Sequence, residues 1–381
     1  MTYTVKARET YCEDKVLRDA DVTVTDGRIA AVGAETAGEI IDCSAWRLLP
    51  GLIDMHVHGG NGVDVMDATD EALNNLSSYK LREGVTAFCP TTLTMPLEAI
   101  YSAIDAVKRA MKNAPGAKVL GAFLEGPYLD PKYKGAHPEG SIRDIALDEI
   151  KELVTYGDGA VTSIAIAPDK ANAMEAIALV ESLGVKARIG HSSAPYAQAK
   201  QAIDAGARIA IHTFNAMSPL NHREPGMVGA ILGDDRIFGE VIADFVHIHP
   251  ACVDLVIKAK GVDKTVLITD CSRAGGLPDG EYVLGELPIR VINSVARTME
   301  GALASSTIGL MTAVKNVHQS LGYHLRDAVN MASLQPARAL GLDKALGSIA
   351  PGKQADLVAI DDDFNVKFVM VDGKPFFAPF C

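Results

Sequence analysis

Eight short apolar segments recur along the central part of the chain, and most of them are followed by a helical pattern. They lie at residues 48–58, 85–92, 119–127, 161–168, 187–193, 207–215, 239–247 and 265–272. Stretches between them, such as 174–184 and 196–206, have apolar residues three and four apart and end in Gly, a helix stop signal. Strand–helix alternation repeated eight times predicts an α/β fold whose parallel sheet closes into a (β/α)8 TIM-like barrel. An open doubly wound sheet is the alternative, but no G-x-G-x-x-G motif supports it.

The two ends of the chain differ from this central part. Residues 1–49 contain two short strand patterns around "DGR", and residues 347–381 contain strand patterns broken by Gly, Pro and Asp. Neither end has enough apolar residues for a core of its own. We therefore expect them to form one small β-sandwich domain beside a barrel domain of residues 50–346. Within the latter, residues 276–306 predict a β-hairpin over the barrel mouth, followed by three helical patterns that reach about residue 341.

Composition narrows the classes of partner. The formal net charge is −12, which argues against nucleic acid or an anionic membrane as the main partner. No apolar run reaches membrane-spanning length, and the first residues lack the apolar segment of a secretory signal. The six cysteines are scattered without a C-x-x-C pair, which favours reduced thiols. We expect a cytoplasmic protein that acts on a small molecule.

Polar residues stand at or near the carboxyl ends of six of the eight proposed strand segments. They are His56 and His58, Glu125, His191, His212, His247 and Asp270. In a barrel, the loops that follow the strands build the active site on one face, so these side chains should converge there. Histidine and carboxylate ligands without a nearby Cys suit zinc or another divalent metal. Because the ligands come from distant segments, such a metal should be catalytic, with a position open for water.

The pair in "LIDMHVHGG" sharpens this expectation. Residues i and i+2 of an extended strand point to the same face, so the rings of His56 and His58 can reach one metal ion. An additional aspartate at the eighth strand, Asp270, could take a proton from water and pass it to the leaving group.

These residues resemble the amidohydrolase superfamily and, within it, the N-acetylglucosamine-6-phosphate deacetylases. The resemblance begins with "LPGLIDMHVHGG", ends with "GSIAPGKQADLVAID", and therefore covers nearly the whole chain. Its most specific segments are "LEGPYLDPKYKGAHP" at 124–138 and "HTFNAMSPLNHREPG" at 212–226. The resemblance implies hydrolysis of the acetamide of an amino-sugar 6-phosphate, and it implies a homodimer in which some phosphate contacts come from the partner subunit.

The resemblance also implies roles for individual residues. Glu125, His191 and His212 look like the family's metal-binding trio, and Asp270 looks like its acid/base aspartate. Some family members lack the H-x-H pair and hold one metal, whereas this chain has it. We therefore expect two metals bridged by Glu125, with His56, His58 and Asp270 completing the first site. Many superfamily members bridge through a lysine of the fourth strand, but "VTSIAIAP" contains none.

A further set of positions resembles the family's substrate site. His137 is similar to the histidine that polarises the acetyl carbonyl. Asn215, Ala216, Arg223 and His247 match positions that hold the sugar phosphate, and the guanidinium of an arginine suits phosphate oxygens. Ala136 belongs to the loop on the acetyl side. Leu303 falls where the family closes the pocket, although many members have Gly where Ser305 stands.

Several alternatives stay open. The substrate could be N-acetylgalactosamine 6-phosphate, because the two epimers differ at one hydroxyl. A cyclic amide hydrolase of the same superfamily would leave "HREPG" unexplained. A catalytically inactive scaffold that only binds partners is a third possibility, although such proteins usually lose metal ligands. Zinc is the expected metal, with Fe, Mn or Co as alternatives, and the chain should hold one or two ions.

Overall fold

The computed structural model describes residues 1–33 and 36–379 of the chain. The ten α-helices in this part are α1 Asp70–Lys80, α2 Leu97–Asn113, α3 Leu147–Gly157, α4 Ala173–Ser182, α5 Tyr196–Ala205, α6 Gly226–Leu232, α7 Pro250–Lys260, α8 Leu310–Leu321, α9 Leu325–Ala332 and α10 Leu334–Leu340. The strands of the first third are β1 Thr2–Tyr11, β2 Val16–Arg18, β3 Val22–Thr25, β4 Arg28–Val32, β5 Glu39–Pro50, β6 Leu52–Val57, β7 Gly59–Gly60, β8 Val63–Asp64, β9 Val85–Thr92, β10 Lys118–Val119 and β11 Ala122–Tyr128. The remaining strands are β12 Val161–Ile166, β13 Lys186–Ile189, β14 Ile209–Ala210, β15 Phe238–Ile242, β16 Thr265–Ile268, β17 Gly280–Leu284, β18 Leu287–Ile292, β19 Val295–Thr298, β20 Leu357–Ile360, β21 Val366–Val371 and β22 Lys374–Phe377.

Eight parallel strands form the predicted barrel, in the order β6, β9, β11, β12, β13, β14, β15, β16, and β10 adds two residues beside β9. The barrel closes between its last and first strands, where Val57 and Cys271 form a parallel bridge. The backbone N–H of Asp270 donates to the carbonyl of His56 at 2.9 Å. This closure brings the end of the eighth strand next to the H-x-H pair.

The barrel strands are buried on both faces, as parallel strands covered by helices must be. All eight residues of β9 are buried, for example. The helices bury one stripe each, because their apolar residues recur three and four positions apart. In α2 the buried residues are Ile100, Ala103, Ile104, Ala106, Val107 and Ala110.

Both ends of the chain join one sheet, as the sequence predicts. Its strands run in the order β22, β21, β20, β5, β1, β3, β4, with β2 beside β1. The sheet curls so that β4 and the turn before it also bond to the segment that leads into β20, since Ile29 N donates to the carbonyl of Lys353 and Ala355 N donates to that of Gly27. Apolar side chains from both ends, such as Val5, Val24 and Phe368, share the resulting second core.

A single residue, Gly51, connects strand β5 of this sheet to strand β6 of the barrel. It separates β5 from β6, and a Cβ atom at this position would lie 2.1 Å from the hydroxyl of Thr86. Its N–H donates to the carbonyl of Asp356 at 2.9 Å. The first strand of the barrel is therefore fixed at its start by the terminal sheet.

The segment predicted as a hairpin is a three-stranded antiparallel sheet, β17–β18–β19. We call it the mouth sheet. Gly285, in the turn between β17 and β18, donates its N–H to Asp64 at 3.1 Å, next to the first barrel loop. Arg297 of β19 forms a bridge with Leu303, which brings the chain back to the barrel mouth. The three predicted helices follow as α8 to α10.

Two further observations concern the described residues as a set. None of their helices is both long enough and apolar enough to cross a membrane. The cysteines within the described ranges are free thiols, and Cys381 lies outside these ranges.

Candidate metal and active site

Four side chains from three strands meet at the barrel mouth in a first cluster. His56 comes from β6, His58 follows it directly, Glu125 belongs to β11, and Asp270 follows β16. The Nε2 atom of His58 lies 2.9 Å from Oε2 of Glu125 and 3.2 Å from Oδ1 of Asp270. The Nε2 atom of His56 lies 3.3 Å from the same glutamate oxygen. All four offer ligand atoms within 4.8 Å of one another.

The other oxygen of Glu125 belongs to a second cluster with His191 and His212. Its Oε1 atom lies 3.3 Å from Nε2 of His191 and 3.1 Å from Nε2 of His212. The two imidazole nitrogens are 3.0 Å apart. Glu125 thus stands between the clusters with one oxygen in each.

The protons of His191 indicate that this second cluster fits a cation. The Nδ1 atom of His191 lies 2.7 Å from the backbone carbonyl of Tyr133. Because a carbonyl only accepts, Nδ1 must carry the proton, and the Nε2 lone pair then faces His212 and Glu125. Two imidazole nitrogens and a carboxylate oxygen that converge in this way form a ligand set for zinc or a similar divalent ion.

Buried charges dominate the electrostatics of the first cluster. Burial alone would raise the pKa of Glu125, but His56 and the neighbouring histidines hold it well below its ordinary value. Burial also opposes ionisation of Asp270, yet His56 and His58 lower its pKa to about 2. Burial would lower the pKa of His58, and the two carboxylates instead raise it to about 9. The carboxylates therefore draw positive charge to this point, and a bound cation would replace the histidine protons.

His137 is held in the opposite tautomer to His191. The backbone N–H of Thr94 donates to Nδ1 of His137 at 3.2 Å, so the ring proton must sit on Nε2. That atom lies 3.6 Å from Glu125. Burial lowers the pKa of His137 to about 4, and the ring is neutral at pH 7. His137 therefore presents a neutral N–H donor beside the two clusters.

A cavity of about 180 Å³ opens above the clusters. Most of the predicted site residues line it, namely His58, Glu125, Ala136, His137, His191, His212, Asn215, Ala216, His247, Asp270 and Leu303. His56 lies beneath them and is completely buried. Leu93, Gly135, Leu284 and Ser305 also line the cavity. Leu93 and Leu284 were missed because each reads as ordinary core, and only the closed barrel with its mouth sheet brings them here.

Asp244 holds His247 in the wall of the cavity and was missed by sequence analysis. Its Oδ2 atom lies 2.7 Å from Nδ1 of His247, and its Oδ1 atom accepts the backbone N–H of the same residue at 2.9 Å. Burial would lower the pKa of His247, but Asp244 raises it overall. The spacing D-x-x-H within "IADFVH" is the signal that could have identified this pair.

Arg223 is the predicted site residue that the fold leaves outside the cavity. It is exposed in the loop between β14 and α6, and its backbone N–H donates to Asn221 at 3.1 Å. Its neighbour Glu224 accepts the backbone N–H of Tyr196 at 2.8 Å. The structure therefore does not bring the Arg223 guanidinium to the clusters.

Comparisons with known proteins relate this chain to one enzyme family. The sequence pattern of the amidohydrolase family matches residues 47–376. The chain is 41% identical over 375 residues to the N-acetylgalactosamine-6-phosphate deacetylase of Escherichia coli O157:H7, covering 98% of this chain and 99% of the relative. It is 42% identical over 362 residues to the N-acetylglucosamine-6-phosphate deacetylase of Vibrio furnissii, covering 94% and 90%.

A solved structure is similar over almost its whole length. It is a mutant of the N-acetyl-D-glucosamine-6-phosphate deacetylase of Mycobacterium smegmatis in complex with N-acetyl-D-glucosamine-6-phosphate. The TM-score is 0.92 at 33% sequence identity, with 98% of this chain and 99% of that chain covered.

Proposed function

Because this chain belongs to the amidohydrolase family, we propose that it hydrolyses the acetamide of N-acetyl-D-glucosamine 6-phosphate in amino-sugar catabolism. The products are D-glucosamine 6-phosphate and acetate. One feature of the site carries this proposal. Glu125 joins two buried ligand clusters on the floor of a cavity that also contains Asp270 and His137.

Asp270 and His137 have different roles in the proposed amide hydrolysis. Asp270 enters as a carboxylate and takes a proton from the water that attacks the acetyl carbon. The neutral Nε2–H of His137 donates to the carbonyl oxygen as negative charge develops on it. Asp270 then returns the proton to the amine nitrogen as the C–N bond breaks. Water thus supplies the oxygen of acetate, and its two protons end on the products.

The clusters hold the cofactor in this proposal. One divalent cation would be held by His56, His58 and Asp270, and a second by His191 and His212. Glu125 would be a ligand of both. Bound there, divalent cations acidify water and polarise the acetamide carbonyl. Zinc fits a set of histidines and carboxylates, and Fe, Mn or Co share this ligand preference.

The sugar and its phosphate occupy the rest of the cavity in this proposal. Asn215, Ala216 and His247 lie along one side. Asp244 raises the pKa of His247, which favours its charged form and so suits an anionic group. Ala136 and Leu303 enclose the acetyl end. A volume of about 180 Å³ is smaller than a typical ligand site of about 300 Å³ or more, so the phosphate would extend out of the cavity, towards Arg223 of the partner subunit in a homodimer. We further propose a homodimer in the cytoplasm.

N-acetylgalactosamine 6-phosphate is a second candidate substrate. The observation that favours it is the 41% identity with the E. coli enzyme of that name, which nearly equals the 42% with the V. furnissii enzyme. The two sugars share the acetamide and the phosphate that the proposed site residues contact. They differ at one ring hydroxyl, so the choice depends on the cavity wall.

The test is acetate release by enzyme of known metal content. Both 6-phospho epimers, unphosphorylated N-acetylglucosamine and a cyclic amide such as dihydroorotate are compared under the same conditions. We expect the highest kcat/KM on N-acetylglucosamine 6-phosphate and a large loss without the phosphate. Higher efficiency on the galactosamine epimer would establish the second candidate. Faster turnover of the cyclic amide, or no hydrolysis by metal-loaded enzyme, would refute the proposal.

A further inference from the structure

An ion pair lies buried inside the barrel, directly beneath the first cluster. Arg188 of β13 and Glu240 of β15 are both completely buried, and Nη1 of Arg188 lies 2.5 Å from Oε1 of Glu240. Arg188 also donates from Nε to the hydroxyl of Ser163 at 2.8 Å, and its guanidinium lies 3.9 Å from the ring centre of Phe123. Barrel interiors are normally filled with branched apolar side chains. Burial of a charged pair here costs stability unless good geometry and further hydrogen bonds offset the loss of hydration.

Glu240 connects this pair to His56. Its second oxygen, Oε2, lies 2.9 Å from Nδ1 of His56 and 3.4 Å from the backbone nitrogen of His212. A carboxylate only accepts, so Nδ1 of His56 carries a proton towards Glu240. The Nε2 atom of His56 then faces Glu125 and Asp270. Arg188 donates to the other oxygen and thereby fixes the orientation of the carboxylate.

No other histidine of the clusters pairs through Nδ1 with a side-chain carboxylate among the described residues. His191 donates to a backbone carbonyl, as described above. The Nδ1 atoms of His58 and His212 have no hydrogen-bond partner among the described side chains and backbone. A partner that orients a ligating histidine typically changes metal affinity by about 10–100-fold. In the two clusters, the histidine with such a carboxylate partner is His56, which belongs to the first cluster.

We infer that Glu240, held by Arg188, is a positioning residue that orients His56 and thereby controls occupancy of the first cation position. This inference rests on the proposed function, because it needs cations at the two clusters. It adds that the two positions differ in strength through residues that touch neither the cation nor the substrate. Loss of Glu240 should therefore weaken the first position and leave the second largely intact, because Glu240 meets His212 only at its backbone nitrogen, 3.4 Å away, and not at its ring.

The test is titration of chelator-treated full-length protein with Co²⁺ alone, followed by the visible spectrum and by elemental analysis. Wild type, Glu240→Gln and the control Glu149→Gln are compared. Glu149 is also a mostly buried carboxylate paired with an arginine, Arg143, but it lies on α3 outside the site. We expect two Co²⁺ per chain in wild type and control. In Glu240→Gln, one binding step should keep its affinity and the other should weaken by about 10–100-fold.

Several outcomes would overturn the inference. Equal weakening of both steps would make Glu240 a general structural residue, and two unchanged steps would give it no role. A wild-type protein that binds a single Co²⁺ has no first position to control. Acetate release by that wild-type protein would still support the proposed function, so the two failures are distinguishable.

A measurement on the wild type covers the case in which Glu240→Gln does not fold. Nitrogen NMR of histidine-labelled, Zn²⁺-loaded protein reports which ring nitrogen carries the proton. We expect His56 to be protonated on Nδ1, with its signal identified by its loss in His56→Asn. A proton on Nε2 of His56 would exclude the hydrogen bond to Glu240 and overturn the inference.

Discussion

Three residues of the clusters have backbones in the left-handed region. The φ angle is +45° at His191, +29° at His212 and +49° at Asp270. This region costs a non-glycine residue about 1–2 kcal/mol. The carbonyls of these residues are nevertheless satisfied, for example by Asp130 N at His191 and by Ser306 N at Asp270. The chain turns sharply where each strand ends, and this turn aims the side chain into the mouth, so the strain serves the site.

Only part of the site could be predicted from the sequence. The residue types and their place after each strand were visible in the sequence, and they predict that the ligands converge. The contacts that support these ligands were not visible in the sequence. Thr94 is 43 residues from His137 along the chain, and Glu240 is 184 residues from His56. Such pairs depend on the register of the closed barrel, which no local pattern contains.

The first prediction concerns Asp270. Asp270→Asn keeps the shape of the side chain but removes the base, so kcat should fall by roughly two to four orders of magnitude. Substrate affinity should change much less. Because Asp270 also belongs to the first cluster, the metal content of the variant is measured beside its rate. Asp158→Asn is the control. Asp158 is exposed and follows the last residue of α3 with a left-handed backbone, a position where Asn is well tolerated. Near-normal turnover by Asp270→Asn would remove Asp270 from the mechanism.

The second prediction separates the two clusters. His56→Asn combined with His58→Asn removes two ligands of the first cluster and none of the second. Metal content should drop from about two ions to about one per chain, because each ion needs three or four protein ligands. Activity should be reduced but not lost. His191→Asn should do more harm, because it damages the second cluster. A wild-type protein with one tightly held ion, unaffected by loss of both first-strand histidines, would contradict the two-metal proposal.

At the scale of elements, the eight predicted strands are all present, but several are shorter than their apolar segments. The sixth segment spans 207–215, whereas β14 contains only Ile209 and Ala210. The seventh spans 239–247, whereas β15 ends at Ile242. The first residues beyond each strand, Ile211 and Ala243, are still completely buried, so their apolar character reflects burial in loops. Apolarity predicts burial, and it cannot tell a buried loop from the end of a buried strand.

A buried cluster of charges ties one helix to two barrel strands. Lys80, the last residue of α1, lies 2.9 Å from Asp54 of β6 and 2.9 Å from Glu83. Asp54 also accepts the hydroxyl of Thr269 at 2.6 Å, directly before Asp270. No pattern in the sequence indicates this cluster, since a lysine at the end of a helix usually faces solvent.

The third prediction concerns this cluster. Lys80→Met should lower the free energy of unfolding by about 3–5 kcal/mol, because it leaves two buried carboxylates without their cation. Lys258→Met is the control. Its side chain is 69% exposed and pairs with Asp254 along α7, so the expected change is within about 0.5 kcal/mol. Urea unfolding of metal-loaded protein measures both. A loss below about 1 kcal/mol for Lys80→Met would show that the carboxylates find other partners or protons.

At the scale of the whole molecule, the barrel and the terminal sheet depend on each other. Strand β5 belongs to the sheet and passes into β6 through Gly51 alone. Lys118 of β10 lies 2.7 Å from Asp356 and 2.9 Å from Asp372, which joins the barrel to the far end of the chain. We therefore propose that residues 1–49 and 347–381 form one domain around the barrel domain of 50–346. Its strands could be predicted from the sequence, whereas its curl around a shared core depends on contacts between residues more than 300 positions apart.

The last prediction concerns Arg223 and needs two subunits. Arg223 is exposed and lies outside the cavity of its own chain, so in the proposed homodimer it serves the phosphate site of the partner subunit. Arg223→Ala alone should lower kcat/KM for the phosphorylated substrate and leave the slow rate on N-acetylglucosamine nearly unchanged. Asp270→Asn alone should be almost inactive.

A dimer that contains one subunit of each kind has one site with both an intact Asp270 and an arginine from its partner. After the two variants are unfolded and refolded together, about a quarter of the wild-type activity per site should return, because half of the dimers are mixed and each has one complete site. Variants refolded separately and then combined briefly are the control. Activity no higher than the average of the separate variants would show that Arg223 serves its own subunit or has no role in phosphate binding. Equal losses on both substrates in Arg223→Ala would assign it a structural role in the loop before α6.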